Sequence, residues 1–177
     1  NSGENRGYLQ AYDRTAGEFG ELYLGAEEIT RPIREGSLHV PPAAFHGEDS
    51  NWELSYDTPT LVNCSTGPTC RGVAPVDLPD GATVTRLVTY WYEHASDDDA
   101  TAYLTREDPS GSYPPDNMAA ITTTGVSASR QILSDDSIDN ATVFHSDRAY
   151  SLRVSIPSSS CYFYGAKIEY TYTSVGP

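Results

Sequence analysis

Strict alternation between Ala149 and Thr173 is the feature that most limits what this chain can become. Tyr150, Leu152, Val154 and Ile156 alternate with Ser151, Arg153 and Ser155. A period of two sends apolar groups to one face of a strand and polar groups to the other. Pro157 and the serines up to Ser160 then make a turn, because proline cannot donate to a ladder and serines compete for local backbone bonds. Ala166, Ile168, Tyr170 and Tyr172 next alternate with Lys167, Glu169 and Thr171. The pattern predicts an antiparallel hairpin with one buried face. Burying each large side chain is worth about 1.5–3 kcal/mol, and ordering each residue's backbone costs about 1–2 kcal/mol. A lone hairpin is therefore marginal, and a second layer has to cover it.

Strand signals recur upstream. Ser37 to Val40 leads into Pro41-Pro42, and Trp52, Leu54 and Tyr56 alternate with Glu53, Ser55 and Asp57. Val73 to Val76 precedes a turn at Leu78-Pro-Asp-Gly81. Ala82 to His94 is the longest candidate, rich in β-branched and aromatic residues around Leu87 to Tyr92. Ser96 to Asp99 turns it, and Ala100 to Arg106 returns as a second expected hairpin. Met118 to Thr124 and Ser129 to Leu133 read as shorter strands. Many short strands with regular turn signals predict an all-β fold, a jelly-roll-like antiparallel β-sandwich in which a second sheet covers the final pair.

Residues 1–36 have a different texture, glycine-punctuated and charged, with scattered apolar groups. They read as an N-terminal extended arm, and residues 37–177 as the sandwich domain. Phe19, Leu22, Tyr23 and Leu24 form the arm's most organised piece, a strand suited to pairing with a neighbouring subunit's sheet. A loosely docked tail is the alternative. A helix over Gly17 to Ile29 would carry three glycines, each costing about 1 kcal/mol relative to alanine.

The 177 residues suit one domain, and 25 acids against 11 bases give a net charge of −14, with Lys167 the one lysine. Such a surface repels nucleic-acid phosphates and anionic membranes, so neither is an expected partner. No stretch approaches the roughly 20 apolar residues of a membrane span. Without a starting methionine or a signal-peptide pattern, the chain reads as a processed, secreted product or one trimmed to resemble it. Cys64 and Cys70 flank a turn-forming loop and are expected to form a disulfide in an exported protein. Unpaired thiols, or pairing of either with Cys161, are the alternatives.

Catalytic signatures are missing: there is no G-x-S-x-G, no H-E-x-x-H and no phosphate-cradling glycine loop. The histidines His39, His46, His94 and His145 sit singly in separate segments; His46 with Glu48 and Asp49 is the one local cluster suited to hold a metal or shuttle a proton, and a solvated turn is the plainer reading. The chain reads as non-catalytic, with no cofactor. For calcium the sequence has candidates in Asp97, Asp98 and Asp99 in one turn and Asp135, Asp136 and Asp139 in another. The 13 tyrosines concentrate in Tyr90-Trp91-Tyr92 and Tyr162-Phe163-Tyr164. Alternation must turn the middle of each triple away from its neighbours. Exposed aromatics suit a protein interface or sugar rings, and Trp52, Tyr90, Trp91 and Tyr92 are the candidate sugar-binding group. Asn63-Cys-Ser65 and Asn140-Ala-Thr142 match the N-glycosylation acceptor pattern.

Several phrases together resemble a recurrent module of secreted bacterial proteins. They are Pro42-Ala-Ala-Phe45, Val73 to Val84, Ala100 to Thr105, Ile138-Asp-Asn140, Tyr150 to Val154 and Tyr164 to Tyr170. The resemblance spans Leu38 to Thr173 and implies export and a jelly-roll-like sandwich, with no site residues carried over. The cysteine loop and the arm lie outside it. An acidic exported sandwich with an extra arm is also similar in layout to subunits of extracellular filaments and tubes. The expected function is thus a structural subunit that assembles with copies of itself into a filament, tube or surface layer, the alternative being a carbohydrate-binding module whose partners are glycans.

Overall fold

The computed structural model describes residues 9–13, 18–22, 32–48, 62–64, 69–94, 99–110, 114–127, 129–157 and 160–173. The chain divides into two compact units, Asn1–Arg31 and Pro32–Pro177. In the first unit, β1 (Leu9–Asp13) and β2 (Glu18–Leu22) pair antiparallel, with Leu9 opposite Leu22 and Asp13 opposite Glu18. The strand expected around Phe19 and Leu22 is present and is partnered within its own chain. Tyr23 and Leu24 lie outside the described residues.

The second unit is built from β3 (Ile33–Val40), β4 (His46–Gly47), β5 (Val62–Asn63), β6 (Cys70–Pro75), β7 (Thr83–Glu93), β8 (Thr101–Glu107), β9 (Asp116–Thr122), β10 (Gln131–Asp135), β11 (Ala149–Ile156) and β12 (Cys161–Thr173). They make two five-stranded antiparallel sheets. The first runs β10-β7-β12-β3 with β5 also paired to β12, and the second runs β4-β6-β11-β8-β9. Apart from the two-residue strands β4 and β5, eight strands remain. Their chain path switches sheets at every step except β8 to β9, the connectivity of a jelly roll.

Two details of the sequence reading change. Strand β3 begins at Ile33, so Ile33 to Gly36, assigned above to the arm, pair with β12 as part of the sandwich. The two expected hairpins are not hairpins: β11 and β12 lie in different sheets, as do β7 and β8. Each strand has the buried face that alternation predicted, but its ladder partners come from elsewhere in the chain. Lys167, for instance, lies between Val88 of β7 and His39 of β3. The strand read at Trp52 to Asp57 lies outside the described residues.

The core fills the space between the sheets. Trp91, Phe163, Leu87 and Ile168 come from the first sheet, and Leu104, Leu152, Ile156 and Met118 from the second. Phe45 inserts from the connection after β3, its ring 5.2 Å from that of Phe163 and nearly perpendicular to it. Trp91 stacks against Phe163 at 4.6 Å, and its buried Nε1–H donates to Thr89 Oγ1 at 2.9 Å. That bond explains how Thr89 can be buried without leaving the indole nitrogen unsatisfied. Cys64 and Cys70 form the expected disulfide, with Cα atoms 5.3 Å apart. It joins the end of β5, in the first sheet, to the start of β6, in the second. Cys161 is buried at the start of β12.

Irregularities in β12 have local causes. Between Phe163 and Ala166 its register against β7 shifts by one residue, and Gly165 there adopts φ +110°. A Cβ at that position would lie 2.8 Å from the Val40 carbonyl oxygen, so both backbone angle and space call for glycine. At Gly36 an added Cβ would meet the Tyr170 ring at 2.6 Å. The ring of Tyr170, its partner on β12, covers this glycine.

Candidate functional site

The outer face of the first sheet gathers most of the aromatic groups that the sequence singled out. Trp91 and Phe163 point inward and are fully buried, at 0% exposure. Tyr90 and Tyr92, and Tyr162 and Tyr164, therefore point outward from the two central strands, half-buried. Pairing of Tyr92 with Tyr162 and of Tyr90 with Ile132 sets these side chains next to one another on β12, β7 and β10. Ile132 is 66% exposed at the sheet's edge. Trp91 thus leaves the candidate sugar-binding group: in a strand whose neighbours face out, its ring has to face the core. Trp52 lies outside the described residues.

The rings interlock. Tyr92 and His94 meet edge to face with centroids 4.4 Å apart at 85°, and Tyr162 stands 6.2 Å from both. The Arg130 guanidinium covers the Tyr164 ring at 4.1 Å, a cation–π contact. The guanidinium takes one face of the Tyr164 ring. Beyond the tyrosines the same face turns polar. Lys167 and Glu169, two residues apart on β12, form an ion pair at 2.5 Å. The Lys167 hydrogen bond holds the Glu169 carboxyl below its ordinary range, and the same partner raises the Lys167 ammonium.

Among the described residues the acidic turns form no metal-holding group. Asp135 ends β10, and its two carboxylate oxygens accept the backbone N–H groups of Ser137 at 2.9 Å and Ala120 at 3.2 Å. Asp136 and Asp139 are exposed on the following segment, and Asp99 is exposed just before β8. Asp97 and Asp98 lie outside the described residues. Among the described residues no group of three or more His, Cys, Asp and Glu side chains could hold a metal ion. His46 stands on β4, and Glu48 beside it is engaged by an arginine instead. The acceptor asparagines sit differently: Asn140 is exposed in a turn with φ +51°, and Asn63 is half-buried in β5.

The second sheet's outer face carries a feature that the sequence reading missed. Arg153, at the middle of β11, pairs with Glu107 of β8 at 2.6 Å and with Glu48, just beyond β4, at 3.3 Å. Thr105 shares a hydrogen bond of 2.8 Å with Ser151 beneath them. A cleft of about 440 Å³ opens on one side of Arg153, and another of about 320 Å³ on the other. Alternation put Arg153 on the polar face of its strand, and Arg71 lay outside the strand read at Val73 to Val76. Alternation did not show that β6, β11 and β8 are neighbours.

No protein-family model and no curated protein matches the sequence. Solved structures similar to the fold include infectious bursal disease virus Gx strain, at 7% identity and TM-score 0.41, where the match covers 96% of this chain and 38% of that one. A CBM4 structure matches at 12% identity and TM-score 0.39, over 72% of this chain and 91% of that one. TmCBM61 in complex with beta-1,4-galactotriose matches at 14% identity and TM-score 0.35, over 81% and 89%. No residue is carried over from any of them. Among the described residues no helix is long and apolar enough to cross a membrane.

Proposed function

We propose that this chain is a secreted, non-catalytic structural subunit that assembles with copies of itself. The observation that supports the reading best is the outer face of the first sheet, where four tyrosines and Ile132 form one continuous half-exposed patch. Tyrosine gives large contact area at low entropic cost and is enriched at protein interfaces. The guanidinium on the Tyr164 ring favours this use over a sugar platform, which needs open ring faces. The sheet's edges add to it. Strand β3 has a ladder partner on only one side among the described strands, Ile33 at its start is 73% exposed, and Lys167, the one lysine, sits on a central strand. Lysines are a common guard of sheet edges against pairing. The arm hairpin of β1 and β2 supplies a further pairing element. The disulfide fits an oxidising, extracellular setting.

The test is sedimentation and negative-stain imaging of the full chain and of Ile132→Glu, which places a charge at the patch without touching the core. The wild type is expected to form oligomers or ordered polymers, and the variant to sediment as a monomer with an unchanged melting temperature. A wild-type chain that stays monomeric at all concentrations tested would overturn the reading.

A further inference from the structure

We propose that the cleft on the opposite sheet, centred on Arg153, is a binding site for a uronate-bearing oligosaccharide. The inference is independent of the assembly reading, since it concerns the other face of the sandwich. The larger cleft is lined by Arg71 of β6, Tyr103 of β8, Asn117 of β9, Arg153 of β11 and Glu48, with Pro114 and Pro115 as an apolar wall. Arg153 lines both clefts. From β6 to β9 is three strand spacings of about 4.8 Å, which gives a trough about 14 Å across, suited to a short oligosaccharide.

The ligand class follows from Arg71. Arg71 and Arg153 line the larger cleft with Glu48, and Glu107 closes on Arg153 from the adjoining cleft, so the four charges balance while the chain as a whole carries −14. Arg153 is occupied by Glu48 and Glu107. Arg71 is exposed and makes no ion pair among the described residues, which leaves its planar donor fork for a carboxylate. Tyr103 and Asn117 bring a ring, a hydroxyl and an amide, and the prolines bring apolar surface. That mixture matches a sugar, whose hydroxyls need donors and acceptors and whose C–H faces need apolar contact. An acidic peptide is disfavoured because the trough crosses the face of a paired sheet, where no strand edge offers backbone groups to a peptide.

The experiment is calorimetric titration of the full chain with an oligogalacturonate, a neutral cello-oligosaccharide and an oligoglutamate of similar length. The oligogalacturonate is expected to bind, and to bind more weakly as salt rises. Arg71→Ala is expected to weaken it about tenfold, with Arg71→Lys in between and Tyr103→Ala also weaker. Arg86→Ala removes the same charge from the first sheet and is expected to leave the affinity unchanged, whatever the state of assembly. No binding of the oligogalacturonate, equal binding of the neutral sugar or of oligoglutamate, or indifference to Arg71→Ala would each overturn the proposal.

Discussion

Trp91 shows how neighbouring residues in one strand divide their tasks. Its indole fills the space between the sheets, packs on Phe163 and is satisfied by Thr89, while Tyr90 and Tyr92 face outward. Truncating a buried aromatic typically costs about 3–5 kcal/mol. Trp91→Ala is therefore expected to lower the urea midpoint sharply, whereas Tyr92→Ala changes it little and acts on assembly instead. Equal midpoint shifts for the two would contradict the assigned directions. Gly165 makes a second demand at this scale. With φ +110° and the Val40 carbonyl 2.8 Å from any added Cβ, Gly165→Ala should cost about 1–3 kcal/mol in the same measurement. Alternation around Leu87 to Tyr92 was enough to say that one member of the triple opposes the other two. Which way the triple points depends on the sheet laid over it, and no local pattern encodes that.

At the scale of elements, the strands were legible and their partners were not. Ala149 to Ile156 and Cys161 to Thr173 are strands with the predicted buried faces, yet the turn at Pro157 carries the chain across to the other sheet instead of back along the same one. A buried face reports that something covers it, and an adjacent strand in the same sheet and a strand in the facing sheet leave the same alternation. The Arg153 trough was hidden for this reason, since Arg71, Tyr103 and Asn117 come from three strands that meet only through the topology. The Lys167–Glu169 pair is the element-scale electrostatic feature with a testable pH signature. The Glu169 carboxyl is lowered from 4.5, so its contribution is present above that value and is lost as pH falls through the lower folded-state value. Lys167 is raised from 10.5, so its contribution is complete below that value and fades as pH climbs through the higher one. The stability difference between wild type and Lys167→Met, read from urea midpoints, should be constant near neutrality and shrink at both extremes. A difference that grows below pH 4.5 would contradict it.

For the whole molecule, the boundary at Arg31 gives a specific deletion. Removing residues 1–31 leaves every strand of both sandwich sheets, whereas removing 1–36 would strip half of β3 from β12. The shorter deletion is expected to keep the melting temperature of the full chain while weakening assembly, as read by sedimentation. If assembly were unchanged, the arm would have no part in it. The all-β class and the sandwich were readable because strand length and turn spacing are local properties. The exact domain edge was not, because Ile33 to Gly36 carry Arg34, Glu35 and a glycine, and the Tyr170 ring that covers Gly36 lies far along the chain.

The order of strands in the first sheet also bears on when this protein can fold. Strand β12, last of the described strands, lies between β7 and β3 and holds both. A chain emerging from a ribosome or a translocation pore with its N-terminus first has β3 and β7 in hand but nothing to join them. Closure of this sheet must wait for β12, over contacts far apart in the chain that are intrinsically slow to form. Until that strand arrives the tyrosine patch cannot exist, because Tyr162 and Tyr164 are carried by β12 itself.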